Sequence, residues 1–402
     1  MSLLQGKRIL LAMSGGIAAF KVAELVRLLT GAGAKVQVMM SESATQFMTP
    51  VTMQALSGQT VYVSQWDNRI ANNMAHIELT RQIDLMVAVP ASADLIAKIN
   101  AGLADDLISV SCLARDCPLI VVPAMNRQMW ENPATQRNIA GLITQGIEIL
   151  GPTSGTQACG ENGMGRMLEA KEIFAGIQAH LQKKVLVGKH VLITAGPTYE
   201  AIDPVRGITN RSSGKMGFAI AQAAVEAGAT VDLVAGPCHL ETPLTFTQRI
   251  KRHDVMSAKD MQAAVMQCIR QQRTDFFFAV AAVADWAIKN PADEKIKRGL
   301  SDLHLEFEPN PDILKSVVDH TGSNPKPYCI GFAAESHDLE KNGKDKLIRK
   351  NIPLLIANIG PETFGLDENQ LLYIEKDQQH TTSRKDKISL ARDLIEYIST
   401  KA

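Results

Sequence analysis

The chain opens with a short apolar run, Lys7 to Ala12, that stops at Ser14-Gly15-Gly16. An amphipathic stretch follows from Ile17 to Leu29, with Ala18, Val22, Leu25 and Leu29 near helical spacing. Lys35 to Met40 is the next apolar run. Strand, glycine turn, helix, strand is how a parallel α/β sheet begins. Asp84 to Val89 and Pro118 to Val122 read as further strands, each running into a loop of proline and small residues. The pattern restarts near residue 188. His190 to Thr194 reads as a strand, Ala195-Gly196-Pro197 as a turn, Met216 to Ala227 as a helix and Thr230 to Val234 as a strand. Phe276 to Val283 reads as one buried strand, and Glu169 to Gln182 as a helix just before the restart. The expected fold is α/β, with two Rossmann-like or flavodoxin-like parallel-sheet domains in tandem. The first covers residues 1–185 and the second 186–402. The halves share a style but no residue-level repeat.

The length agrees with two domains, since 402 residues exceed the ~250–300 at which single cores stop growing. Lys+Arg and Asp+Glu are 42 each, so the basic excess of a nucleic-acid binder is absent. Neither Lys7 to Met13 nor Phe276 to Ala284 is long enough to span a bilayer, and the first lacks a cleavage-type tail. No membrane or secretory role is expected. Six cysteines, at 112, 117, 159, 238, 268 and 329, form no CxxC pair and no zinc spacing. That usage suits a reducing cytoplasm.

Ligands of open parallel sheets sit at the carboxyl ends of the strands. Glycine turns there favour phosphate, because backbone N–H groups and a helix N-terminus face the anion. Gly15-Gly16 is not a full GxGxxG, and Ser213-Gly214-Lys215-Met216 is not a Walker A loop, since Met replaces Ser/Thr. Three N-terminal segments carry chemistry: Asn72 to Ile77 with His76, Pro123 to Trp130 with Asn126, and Gly155 to Met167 with Cys159. The third reads as a mobile loop whose Gly160, Gly163 and Gly165 deny it regular structure and let the backbone approach a ligand closely. Its thiol suits proton delivery or nucleophilic attack. The imidazole of His76 is a side chain suited to acid–base work. Asn126 has the donors and acceptor to grip a carboxylate or amide. Taken singly, each also has an ordinary reading: a structural histidine, a buried thiol, a strand-end turn.

In the second half, Lys295, Lys297 and Arg298 form one basic group and Lys346, Arg349 and Lys350 another. If they converge from predicted strand ends, they neutralise a triphosphate. Otherwise they are solvated faces or a helix C-terminus. Asp285 or Asp312 is suited to a divalent metal or a ribose hydroxyl.

Together these segments resemble a known family. Ser14 to Lys21, Thr49-Pro50, Gln54 to Gly58, Pro90 to Lys98, the His76 segment, PxMNxxMW and ACGxxGxGRM are similar to the flavin-containing cysteine decarboxylases. More specifically, they resemble the decarboxylase half of the bacterial bifunctional phosphopantothenoylcysteine decarboxylase/phosphopantothenate–cysteine ligases. ITNRSSGKMG, AAVADW, EKIKR, NPDI, GFAAE and KLIRKN resemble the ligase half. The departures are small: Trp286 where Tyr is expected and Arg298 where Lys is usual.

The resemblance implies an FMN-dependent decarboxylase followed by a ligase that uses CTP and Mg²⁺. His76 would be the acid–base residue of oxidative decarboxylation, Asn126 would hold the substrate carboxylate, and Cys159 would protonate the enethiol intermediate. Ser14, Gly15, Ser41, Ser92 and Met125 would line FMN. Asn210 would position an acyl-cytidylate and Lys295 would assist its formation. Asp285, Lys295, Pro311, Asp312, Ile313, Phe332, Lys346 and Lys350 would line CTP, with Arg206 toward the pantothenate. Substrates would be 4′-phosphopantothenate, cysteine, CTP and 4′-phosphopantothenoylcysteine. A trimeric decarboxylase and a dimeric ligase, assembled as a dodecamer, are the family's oligomers. The alternatives are a flavodoxin-like FMN electron carrier and a non-catalytic regulatory relative.

Overall fold

A computed structural model describes residues 3–70, 74–243, 250–297, 304–321, 327–335, 339–359 and 367–401. The chain divides into two compact units, residues 1–182 and 183–402.

The first unit holds β1 (Arg8–Met13), β2 (Lys35–Met40), β3 (Leu85–Ala91), β4 (Leu119–Pro123) and β5 (Glu148–Ile149). They form one parallel sheet in the order β2-β1-β3-β4-β5. That is the flavodoxin-like order, which reverses direction between β1 and β3. Ile9 to Met13 are all fully buried, as a strand covered on both faces requires. Ile9, Leu11 and Met13 join one core cluster while Leu10 and Ala12 join the other, the period of two that a strand imposes. Helices α1 (Phe20–Gly31), α2 (Glu42–Thr45), α3 (Pro50–Ser57), α4 (Ala75–Thr80), α5 (Ala93–Ala101), α6 (Leu107–Ala114), α7 (Arg127–Glu131), α8 (Pro133–Thr144) and α9 (Ala170–Leu181) complete the unit.

Two sequence expectations change here. The helix expected from Ile17 begins as a 3₁₀ turn, Ile17–Ala19, and only then becomes α1. Gly16 supplies no capping side chain, so a tighter turn closes the entry. The glycine-rich segment is also not irregular. It forms an antiparallel hairpin, β6 (Thr153–Thr156) with β7 (Asn162–Arg166). The close approach that its glycines allow serves the chain itself: a Cβ on Gly165 would lie 2.5 Å from the carbonyl oxygen of Met125.

The second unit holds β8 (His190–Ala195), β9 (Tyr199–Ala201), β10 (Gly207–Thr209), β11 (Thr230–Ala235), β12 (Ile250–Asp254), β13 (Phe276–Ala279), β14 (Trp286–Ile288), β15 (Phe307–Pro309), β16 (Tyr328–Glu335), β17 (Leu354–Ile359), β18 (Glu368–Asn369), β19 (Leu372–Ile374) and β20 (Gln379–Thr381). Its helices are α10 (Lys215–Glu226), α11 (Ala258–Gln271), α12 (Ile313–Thr321), α13 (Leu339–Lys350) and α14 (Lys387–Ser399). The sheet runs β12-β11-β8-β13-β16-β17 in parallel, and β19 and β20 extend it antiparallel. Numbered within the parallel set, this is 3-2-1-4-5-6, the dinucleotide-fold order, with its switch between β8 and β13.

The strand expected over Phe276 to Val283 stops at Ala279. Beyond it the amides leave the ladder. Ala281 N donates to Thr194 Oγ1 (3.3 Å), Ala282 N to the Gly196 carbonyl (2.9 Å) and Ala284 N to Thr198 Oγ1 (3.0 Å). Among the described residues no helix is long and apolar enough to cross a membrane.

Candidate functional sites

In the first unit, Ser14 and Ser41 directly follow β1 and β2, Ser92 follows β3, and Met125 stands two residues past β4. Ser14 Oγ donates to the Pro90 carbonyl (2.7 Å) and accepts from the Ser92 amide (2.8 Å), bridging the switch point. Ser92 Oγ caps α5 by accepting from Leu95 N at 3.2 Å. Ser41 Oγ caps α2 through Ala44 N (3.1 Å) and lies 2.9 Å from Ser43 Oγ. A Cβ on Gly15 would fall 2.6 Å from Ser43 Cβ, so that position admits glycine alone. Small hydroxyls and bare backbone at the ends of adjacent parallel strands fit a phosphate and the edge of a planar ring. These residues are therefore suited to a flavin nucleotide.

Asn126 is the N-cap of α7, and its Oδ1 accepts from Met129 N at 3.0 Å. Its Nδ2 donates to Gln128 Oε1 at 2.9 Å. One N–H and one lone pair of the amide remain for a ligand. Gln128 Nε2 continues to Glu161 Oε1 (2.8 Å), and Glu161 Oε2 is buried without a hydrogen-bond partner among the described residues. Gln157 Oε1 accepts from Arg127 N (3.0 Å) and lies 3.9 Å from Cys159 Sγ. The hairpin and α7 are thus joined, and the network brings Asn126 and the exposed Cys159 into one region. His76 is half-buried on α4, and among the described residues no hydrogen bond joins its ring to Asn126 or Cys159. Asn72 and Asn73 lie outside the described residues. Gln128, Gln157 and Glu161 were missed as site residues, although each falls within a segment that the sequence singles out.

The second unit has a cavity of about 600 Å³ at its own switch point, between Thr194 and Gly196 after β8 and Ala279 to Asp285 after β13. Asn210, Asp285, Pro311, Asp312, Ile313, Phe332, Lys346 and Lys350 all line it. Asn210 Nδ2 donates to the Ala282 carbonyl at 2.9 Å. The N-termini of α10 and α12 also face it, through Gly214-Lys215 and Asp312-Ile313. Arg211, Lys215, Lys346, Lys350 and Lys387 oppose only Asp285 and Asp312. Helix N-termini and excess cations suit this cavity to a polyanion. Burial pulls the Lys387 ammonium below its ordinary range, Lys215 adds to the effect and Asp367 opposes it. Burial likewise pulls Lys350 down, with Asp285 opposing. Lys350 pairs with Asp312, which also caps α12 through Lys315 N at 3.0 Å. Asn310 Nδ2 donates to the Ala284 carbonyl (2.9 Å), while its Oδ1 is buried without a hydrogen-bond partner among the described residues.

Two expectations about the basic groups are corrected. Lys346 and Lys350 sit on α13, not at a strand end. Lys295 and Lys297 are exposed, and neither is among the residues that line the cavity with Lys346 and Lys350. Arg298 lies outside the described residues. The segment bearing Lys295 is instead pinned by Asp203, whose Oδ2 accepts from Ile296 N at 3.1 Å. Arg206 forks onto the same carboxylate (3.0 and 2.5 Å) and donates to the Ile296 carbonyl (2.7 Å). These donors hold the Asp203 carboxyl well below the usual range, with the Arg206 guanidinium the largest influence. Asn358, Asn369 and Lys387 line the cavity from segments in which the sequence offered no motif.

Comparison with known proteins agrees with this layout. A family model described as Flavoprotein matches residues 2–182. One described as the DNA/pantothenate metabolism flavoprotein C-terminal domain matches residues 186–401. The coenzyme A biosynthesis bifunctional protein CoaBC of Vibrio cholerae is 46% identical, with 99% of each chain covered. That of Haemophilus influenzae is 45% identical, with 98% of each covered. A crystal structure of the C-terminal domain of a CoaBC protein is 37% identical at a TM-score of 0.45, covering 55% of this chain and 98% of that one. Likeness over the full length, spanning both units, shows the family: the chain belongs to the bifunctional CoaBC proteins of coenzyme A biosynthesis.

Proposed function

We propose how this bifunctional enzyme, with its decarboxylase and ligase units, divides its work among named residues. The ligase unit takes 4′-phosphopantothenate and CTP. The carboxylate attacks the α-phosphorus, pyrophosphate leaves, and an acyl-cytidylate forms. The amine of cysteine then displaces CMP. Lys346 and Lys350 neutralise the triphosphate beside the α10 and α12 N-termini. Pro311, Ile313 and Phe332 pack around the nucleoside. Asn210 positions the acyl-cytidylate, and Lys295 reaches in from its pinned segment when substrate is bound. Asp312 is engaged by Lys350 and by the helix cap, so Asp285 is the carboxylate left to meet a Mg²⁺ carried by the nucleotide.

The product, 4′-phosphopantothenoylcysteine, passes to the flavin unit and becomes 4′-phosphopantetheine. Bound FMN, lined by Ser14, Gly15, Ser41, Ser92 and Met125, supplies reversible two-electron chemistry. Asn126 grips the substrate carboxylate with its remaining N–H. His76 moves the proton of the oxidative step, and Cys159 protonates the enethiol carbon. No net electron donor is consumed. The enzyme works in the cytoplasm, with trimeric flavin units and dimeric ligase units assembled as a dodecamer.

The observation that carries the ligase reading is the cationic cavity at the β8/β13 switch point. The test is mass spectrometry of the purified protein with 4′-phosphopantothenate, cysteine, CTP and Mg²⁺. Phosphopantetheine, CMP and pyrophosphate are expected. Equal turnover with ATP would remove the CTP assignment, and accumulation of phosphopantothenoylcysteine in flavin-loaded protein would remove the decarboxylase roles.

A further inference from the structure

A second constellation stands apart from both sites. Asp232 on β11, His253 on β12 and Cys268 on α11 direct a carboxylate oxygen, Nε2 and Sγ to one point, all within 4.8 Å of one another. His253 Nε2 lies 2.7 Å from Asp232 Oδ1 and 3.8 Å from Cys268 Sγ. None of the three lines the nucleotide cavity. Asp232 and Cys268 are only 4% and 3% exposed, and Cys268 packs in a cluster with Val234, Met261 and Val265.

A hydrogen-bonded carboxylate explains part of this. Oδ2 of Asp232 accepts from Gln272 Nε2 (2.6 Å) and lies 3.0 Å from His190 Nε2. Such a network does not call for a sulfur within reach of the same imidazole nitrogen. An oxygen, a nitrogen and a sulfur that converge are a ligand set for a borderline-soft cation, whereas Mg²⁺ takes six oxygens.

We propose that Asp232, His253 and Cys268 form a binding site for Zn²⁺ or a similar thiophilic divalent cation. Tetrahedral zinc has bonds of about 2.0–2.3 Å, which set donors about 3.5 Å apart. Two of the separations, 2.7 and 3.8 Å, bracket that value and the third is at most 4.8 Å, so Asp232 and Cys268 draw toward a common centre as the ion enters. The partly exposed edge of His253 is the entry path and the place for a water as fourth ligand. His190 and Gln272, on the other carboxylate oxygen, orient Asp232 as outer partners do in zinc sites. On binding, the thiol proton leaves to solvent. The His253 ring keeps one proton, moved to Nδ1, and Asp232 is already ionised. The cation ties α11 to β11 and β12 and so stiffens one side of the ligase unit.

The test uses the full-length, flavin-loaded protein, stripped with a chelator and assayed without nucleotide. Titration with Zn²⁺ should show one site per chain and raise the thermal midpoint. Co²⁺ should give a thiolate-to-cobalt band in the difference spectrum. Cys268→Ser should abolish the band and weaken Zn²⁺ binding by at least the ~10–100-fold seen when even an outer partner of a metal site is lost. His253→Gln should weaken binding similarly, which keeps the test decisive if the cysteine variant misfolds. A Cys159→Ser/Cys238→Ser protein should bind as wild type. Absence of binding, or a band that survives Cys268→Ser in folded protein, would overturn the proposal.

Discussion

The side chain of Ser14 accepts a hydrogen bond from the backbone amide of Ser92 at 2.8 Å and donates to the carbonyl of Pro90 at 2.7 Å. One buried hydroxyl thereby ties together the ends of β1 and β3, where the strand order reverses. Ser14→Ala leaves both backbone groups without that partner, a cost of about 1–3 kcal/mol. Thermal denaturation should show the loss, and flavin fluorescence should show weaker FMN retention. Wild-type FMN affinity in the variant would separate Ser14 from the cofactor site.

Cys159 is the exposed thiol of the β6–β7 hairpin, beside Gln157. Cys159→Ser should release CO₂ and then stall at an oxidised intermediate with the flavin reduced, while ligation continues. Absorption spectroscopy and mass spectrometry read both. Complete phosphopantetheine formation would remove Cys159 as the proton donor.

Asn210 holds the wall of the ligase cavity through the Ala282 carbonyl. Asn210→Asp sets a carboxylate where a donor stood and adds negative charge to a polyanion site. Ligation should fall on the order of 10²-fold, the scale for removing an oriented donor. Decarboxylation of supplied phosphopantothenoylcysteine should persist. An equal fall in both activities would contradict the division of labour.

Asp203 fixes Arg206 and the Ile296 amide, and with them the segment that carries Lys295. Asp203→Ala should free that segment and slow ligation on the order of 10²-fold, as misplacement of a reacting group does. Pre-steady-state pyrophosphate release is the informative measurement. If it is unchanged, Lys295 has no part in acyl-cytidylate formation.

Asp232 supplies the pH dependence. Burial works to raise its carboxyl, but hydrogen bonds from His190 and His253 outweigh it and hold the value at about 2. A depressed carboxyl stabilises the fold above its unfolded value of 3.8, and the stability is lost as pH falls toward about 2. Wild type should exceed Asp232→Asn by roughly 2 kcal/mol at neutral pH. In chelator, the gap should shrink as pH falls below about 4. A gap independent of pH would mean that the carboxylate charge is not what the two histidines hold.

The sequence by itself determined the strands whose neighbours are also strands. Runs such as Ile9 to Met13 are apolar at every position because parallel strands are covered on both faces, and this is legible locally. The glycine turns after β1 and β8 and the motif residues at strand ends were legible for the same reason. Lys346 and Lys350 were found through their motif, while the α13 helix that presents them to the cavity came from the fold.

Tertiary structure decided the rest. Phe276 to Val283 is uniformly apolar, yet the strand ends at Ala279 because Thr194, Gly196 and Thr198 capture the amides that follow. The glycines near Cys159 read as a mobile loop, but the segment pairs as a hairpin packed against Met125. Asn369 and Lys387 enter the cavity at the β8/β13 switch point from the C-terminal segments, where no local pattern announces them. Backbone pairing and apolar period are written residue by residue. The convergence of distant polar side chains is set only when the sheet order brings their segments together.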